Sequence, residues 1–138
     1  MLVNDIIPMI EERYRTLTDC DSRAIAGLSM GSYHTACTSC NHPGLFAYTA
    51  MLSGSYNDRW YGWVNCREVI EKNDVFRQKT KLFYMSIGTD ETRLYPQVQE
   101  NVAFLEKCGV NNGYYECPGL HVWTVWRKSI SQFMQQIF

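Results

Sequence analysis

Short apolar runs alternate with segments of helical spacing along this chain, and that alternation restricts the folds open to it. Four runs have the length and composition of buried strands, namely residues 23–27, 46–53, 81–87 and 113–117. Segments with helical spacing lie between them and after the last one. Strands that alternate with helices favour parallel βαβ units. We therefore expect an α/β fold, with a mostly parallel sheet of about four strands and helices on both faces.

Charge and hydropathy narrow the range of partners. The chain carries 13 Lys+Arg against 14 Asp+Glu, and no basic run exceeds two residues, so we expect no nucleic-acid partner. No stretch of eighteen apolar residues is present, so we expect no membrane partner. Acidic residues within 1–13 argue against a signal peptide. The chain as given is expected to be cytoplasmic, and secretion stays open if a segment precedes it.

The most specific motif is a G-x-S-x-G over residues 27–31, between a predicted strand and a predicted helix. Its glycines permit a tight strand-to-helix turn that exposes the hydroxyl of Ser29. The backbone N–H of Met30, at the start of the helix, is placed to stabilise an oxyanion. The motif therefore predicts Ser29 as a nucleophile and Met30 as an oxyanion donor, the alternative being a glycine-rich turn with a passive serine.

A nucleophilic serine needs an imidazole to take its proton, and the imidazole needs a carboxylate to orient it. His121 lies between the last predicted strand and the last predicted helix, where catalytic loops of an α/β sheet are found. Asp90 and Glu91 follow the third predicted strand in the same way. Serine, acid and histidine then occur in the chain order of α/β-hydrolases. The pattern predicts a catalytic triad with His121 as base and leaves both carboxylates open as its acid.

Four segments carry a resemblance to a known family: GLSMG, HPGLFAYTAMLSG, the GTDE turn and ECPGLHVWTVWRKSISQF. Together they resemble carbohydrate esterase family 1, the esterase D-like branch of the α/β-hydrolase superfamily that contains feruloyl and acetylxylan esterases. The resemblance implies Ser29 as nucleophile and His121 as general base. It implies Glu91 as the acid, with Asp90 as the alternative. The activity implied is acyl-enzyme hydrolysis of acetyl or feruloyl esters of plant polysaccharide, without metal or organic cofactor.

The chain departs from the family pattern in three places. The family more often has Asp at the position of Glu91, and it commonly has Gly at the position of Ser32. Its catalytic domain is also longer, and the preceding part supplies several strands and the second oxyanion donor. The resemblance therefore implies one esterase domain over 1–138, truncated at its amino terminus and lacking the first strands. We expect the exposed sheet edge that results to support a homodimer.

Two further functions remain open beside the polysaccharide esterase. One is an S-formylglutathione-hydrolase-like thioesterase that uses the same mechanism. The other is a catalytically inert fragment or a carbohydrate-binding module, because the chain lacks the family's amino-terminal part. Trp60, Trp63 and Trp123 are candidates for stacking on a sugar or an aromatic acyl group, with plain packing as the alternative.

The six cysteines are interpreted mainly as buried thiols, because a chain of this length does not need a disulfide scaffold. Cys37 and Cys40 form a C-x-x-C with His34 and His42 nearby. A structural zinc site usually needs a second pair of ligands with matching spacing, and the sequence contains none. We therefore predict no metal site.

Overall fold

The computed structural model describes residues 1–56 and 64–138, and a sheet of four parallel strands lies at the centre of this part. The strands lie side by side in chain order: β1 (Ala24–Leu28), β2 (Tyr48–Leu52), β3 (Leu82–Gly88) and β4 (Asn112–Cys117). Leu28 is paired with Leu52 and Gly88 with Cys117, so the carboxyl ends of the strands meet at one edge. The predicted α/β fold with a parallel sheet is confirmed.

Helices before, between and after the strands complete the described fold. They are α1 (Ile7–Arg13), which follows a π-helical turn at Leu2–Ile6, then α2 (Met30–Asn41), α3 (Cys66–Lys72), α4 (Asp74–Lys79), α5 (Tyr95–Lys107) and α6 (Trp123–Met134). Asparagine side chains cap two of them, since Asn65 accepts a hydrogen bond from Glu68 N–H and Asn73 accepts one from Phe76 N–H. Within the described ranges, no helix is long and apolar enough to cross a membrane.

Side chains of the two central strands alternate between the faces of the sheet, and each face has its own core. Met51, Phe83 and Met85 pack in a cluster with residues of α2, α3, α4 and α5. Leu52 and Tyr84 point to the other face and pack with Phe133 of α6 and its neighbours. Helices therefore cover both faces of the sheet, as expected.

Strand β1 is one edge of the described sheet, and the segment that precedes it is largely exposed. An ion pair between Arg23 and Glu11 connects α1 to this edge. Large apolar side chains of the segment are exposed to solvent, namely Leu2, Ile6, Met9, Ile10, Tyr14 and Leu17. A strand edge beside apolar side chains is a template for pairing with another strand. The homodimer expected through this edge stays a prediction.

Helix α2 approaches β1 most closely at Gly27, and this contact shapes the turn between them. A Cβ atom on Gly27 would lie 2.2 Å from the carbonyl oxygen of Gly31 and 2.6 Å from Oγ1 of Thr35. Gly31 is different, because a Cβ atom there would meet nothing within 4 Å. The first glycine of the G-x-S-x-G motif is therefore required by packing, and the second is not.

This difference predicts opposite effects of two alanine substitutions on stability. Gly27→Ala forces α2 away from the strand and should lower the free energy of unfolding by about 1–3 kcal/mol. Gly31→Ala adds a methyl group in open space within a helix and should leave it unchanged or raise it by about 0.5–1 kcal/mol. Urea unfolding of both variants measures the effect. Equal losses of stability would contradict the packing argument.

Candidate active site

An open cleft of about 1360 Å³ lies at the carboxyl edge of the sheet. The loops after β2, β3 and β4 contribute Ser53, Glu91 and His121 to its lining, and the turn after β1 contributes Ser29. Ligands of parallel α/β sheets bind at this edge, because every strand-to-helix loop emerges there. The cleft is therefore the candidate active site.

Ser29 forms the turn from β1 into α2 and has an uncommon backbone conformation. Its φ of 53° and ψ of −121° lie outside the regions that most non-glycine residues adopt. Its N–H donates to the carbonyl oxygen of Leu52 at 2.9 Å. The Ser32 hydroxyl donates a shared hydrogen bond to the carbonyl oxygens of Gly27 and Leu52, at 2.9 and 2.8 Å. The serine that stands where the family commonly has glycine thus links the ends of β1 and β2 beneath the turn.

Three of the predicted residues meet in one chain of hydrogen bonds. Nδ1–H of His121 donates to Oε2 of Glu91 at 2.5 Å, because a carboxylate can only accept. The other ring nitrogen, Nε2, then accepts from the hydroxyl of Ser29 at 2.8 Å. This is the arrangement in which a serine hydroxyl can pass its proton to an imidazole that a carboxylate orients.

The carboxylate of Glu91 is almost fully buried, with 2% of its side chain exposed. A buried charge needs hydrogen bonds, and Oε1 accepts one from the Ser53 hydroxyl at 2.6 Å and one from Gly88 N–H at 2.9 Å. Asp90, the alternative acid, is exposed, and its backbone N–H donates to the carbonyl oxygen of Gly119 at 3.1 Å. The carboxylate that contacts His121 is that of Glu91.

Ser53 is part of the site, and the sequence analysis did not single it out. It follows β2 directly, is fully buried and has a φ of 51°. One signal in the sequence points to it: a Ser-Gly pair stands at the carboxyl end of a predicted strand, where site residues of α/β sheets occur. Its contact with Glu91 joins residues 38 positions apart and cannot be deduced from that signal.

The predicted oxyanion donor lies beside Ser29, whereas the predicted aromatic contact Trp123 lies outside the described lining of the cleft. Met30 is the first residue of α2, so its backbone N–H lies at the helix N-terminus beside Ser29. Trp123 is 62% exposed, and its ring packs edge-on against that of Trp126. The Trp126 ring in turn contacts the imidazole of His121 at a centroid distance of 4.9 Å. Trp123 is absent from the described lining of the cleft. The predictions for Trp60 and Trp63 lie outside the described residues.

The lining of the cleft is mixed in chemistry. Apolar side chains from the turn after β1 and the loop after β4 contribute to it, namely Met30, Leu120 and Val122. Polar and charged side chains also line it, namely Arg67, Asp90, Thr92, Arg93, Gln97 and Glu100. The guanidinium of Arg67 lies 4.6 Å above the Phe104 ring and donates to Glu100 at 2.9 Å, which fixes it in place.

Neither disulfides nor a metal site occur in the described parts of the chain. All six cysteines lie in these parts, and no disulfide joins any of them. Four are buried, namely Cys37, Cys40, Cys66 and Cys117. Over residues 1–56 and 64–138, no group of three or more His, Cys, Asp and Glu side chains is placed to hold a metal ion.

The sequence of the chain is similar to those of known esterases. Residues 1–137 match the protein family described as "Putative esterase". An endo-1,4-beta-xylanase/feruloyl esterase of Xylanibacter ruminicola is 25% identical over 139 residues, which cover 100% of this chain and 17% of that protein.

Solved structures show the same fold over a longer chain. A ferulic acid esterase from Anaeromyces mucronatus superposes with a TM-score of 0.83 at 19% identity, covering 99% of this chain and 52% of that one. An S-formylglutathione hydrolase from Staphylococcus aureus superposes with a TM-score of 0.71 at 17% identity, covering 95% of this chain and 57% of that one. The chain thus spans little more than half of these structures and contains part of a hydrolase fold. Because the family match includes nearly every residue, the chain belongs to the esterase family.

Proposed function

We propose that this chain is a serine carboxylic-ester hydrolase that works through an acyl-enzyme. The observation that carries the proposal is the hydrogen-bond chain from Ser29 through His121 to Glu91, with distances of 2.8 and 2.5 Å. Membership of the esterase family supports it. The placement of all three groups at the carboxyl edge of a parallel sheet is consistent with it.

In the acylation step, Oγ of Ser29 attacks the carbonyl carbon of the ester while Nε2 of His121 takes the hydroxyl proton. The carbonyl oxygen becomes an oxyanion, to which Met30 N–H donates. The intermediate then collapses, the bond from the carbon to the alcohol oxygen breaks, and the alcohol leaves with the proton from His121. Glu91 stays ionised throughout and stabilises the imidazolium. The product of this step is an ester of Ser29.

Deacylation repeats these roles with water in place of the serine. His121 takes a proton from water, the resulting hydroxide attacks the acyl carbon, and the bond to Oγ of Ser29 breaks. Ser29 recovers its proton from His121, and the carboxylic acid is released. Among the described residues, the predicted oxyanion donor is Met30 N–H, and a donor of this kind typically contributes about 10²–10³-fold to the rate.

For the substrate, we propose acetyl or feruloyl esters of plant polysaccharide. Similarity to a xylanase/feruloyl esterase and to a ferulic acid esterase supports this choice. Apolar side chains in the lining of the cleft suit an acyl group, and polar ones suit the hydroxyl groups of a sugar. The S-formylglutathione hydrolase among the similar structures makes a small-acyl thioester the second candidate.

Hydrolysis assays of the purified chain test the proposal. We expect turnover of 4-nitrophenyl acetate and of methyl ferulate, and loss of at least about 10³-fold in Ser29→Ala because the nucleophile is removed. Faster turnover of S-formylglutathione than of either ester would favour the thioesterase. A folded chain that hydrolyses none of them but changes its tryptophan fluorescence with xylo-oligosaccharides would support the binding module instead.

The two neighbouring carboxylates provide a matched pair for testing the acid. Glu91→Gln removes the charge that orients and stabilises the imidazole, so the rate constant for ester hydrolysis should fall about 10²–10⁴-fold. Asp90→Asn changes an exposed carboxylate and should alter this rate constant less than about twofold. Thermal unfolding of both variants controls for loss of structure. The reverse order of effects would identify Asp90 as the acid.

A further inference from the structure

Ser53 has two features that the predicted triad does not explain. Its φ of 51° lies in the left-handed region, which a serine seldom adopts unless the surrounding structure holds it there. It is also fully buried, and its N–H donates to the carbonyl oxygen of Ser86 on β3 at 2.8 Å. The left-handed backbone turns the residue at the end of β2 toward the loop that follows β3.

The hydroxyl of Ser53 fixes one oxygen of the buried acid. It donates to Oε1 of Glu91 at 2.6 Å, and Gly88 N–H donates to the same oxygen at 2.9 Å. The other oxygen, Oε2, is left for His121 at 2.5 Å. Donors from β2 and β3 thus hold one oxygen of the carboxylate, and the imidazole binds the other. Such charge-assisted hydrogen bonds are the strong ones in proteins.

We propose that Ser53 is a positioning residue for the acid: its hydroxyl fixes the side-chain conformation of Glu91 so that Oε2 faces Nδ1 of His121. Glu has one more methylene group than Asp, and so one more torsion to restrain. A donor outside the acid's own loop supplies that restraint. The inference rests on the proposed function only in so far as His121 must be oriented to act as a base.

The remaining charged groups around the cleft do not share this role. They are Asp90, Arg93, Arg67 and Glu100. In the part of the chain that the structure describes, none of them is hydrogen-bonded to the carboxylate of Glu91, and Arg67 is paired with Glu100. Misplacement of the Glu91 carboxylate is therefore expected for loss of the Ser53 hydroxyl and not for changes at these four residues.

The test compares three variants. Ser53→Ala removes the hydroxyl, and Ser53→Gly removes it while tolerating the left-handed backbone. Ser86→Ala is the matched control, because Ser86 is a buried serine on the adjacent strand whose Oγ has no hydrogen-bond partner in the described structure. The rate of covalent labelling by a fluorophosphonate is measured for each variant at neutral pH.

We expect both Ser53 variants to label about tenfold more slowly, because one charge-assisted hydrogen bond to the acid is lost. Ser86→Ala should label at the rate of the unsubstituted chain. If Ser53→Ala fails to fold, Ser53→Gly still tests the proposal. An unchanged labelling rate in a folded Ser53→Gly variant would overturn it.

Proton NMR of the unlabelled chain separates this proposal from the proposed function. The Nδ1–H proton of His121, held between ring and carboxylate, should resonate far downfield and shift in both Ser53 variants but not in Ser86→Ala. If the chain never labels yet this resonance shifts as expected, the positioning role stands and the esterase proposal fails. If the chain labels but the resonance stays in place in both Ser53 variants, the positioning role is wrong.

Discussion

Parallel pairing of the four described strands brings their carboxyl ends to one edge, and the candidate site depends on that common edge. Ser29 follows β1, Ser53 follows β2, Glu91 follows β3 and His121 follows β4, so each strand delivers one group. A parallel sheet needs apolar residues on both faces, which the two clusters on either side of β2 and β3 provide. The strands that form the core therefore also bring the residues of the site together.

The buried carboxylate of Glu91 ties these strand ends together. It accepts hydrogen bonds from the residue after β2, from the last residue of β3 and from the loop after β4. Burial of a charge would oppose folding if any of these donors were missing, because water does not reach the group. The same bonds leave one carboxylate oxygen facing His121. An arrangement that satisfies a buried charge is thus also one that orients an imidazole.

Local patterns were sufficient for much of the fold and part of the site. Ser29 lies in a motif that is complete within five residues, and His121 follows a strand that periodicity identifies. Residue order alone left Asp90 and Glu91 open, because the choice depends on which carboxylate faces inward after folding. Ser53 was missed for the same reason, since its partner is distant in sequence.

Errors at the ends of elements also have physical causes. Helix α4 was not predicted, because its six residues are too few to show a helical period. Helical spacing of apolar residues continues to the end of the chain, but helix α6 ends at Met134, although Ile137 beyond it still packs on the core. Apolar residues continued the pattern past the point where the backbone leaves the helix. The spacing of apolar residues indicates which side chains are buried, and side chains beyond the end of a helix can be buried as well.

The central claim is that Ser29 carries the acyl group, and mass spectrometry of the chain quenched during turnover of 4-nitrophenyl acetate tests it most directly. The account predicts one acetyl group per chain, on the peptide that contains Ser29, and its disappearance as the substrate is exhausted. An unmodified chain that still turns over the ester, or acetyl groups spread over lysines with Ser29 unmodified, would contradict it.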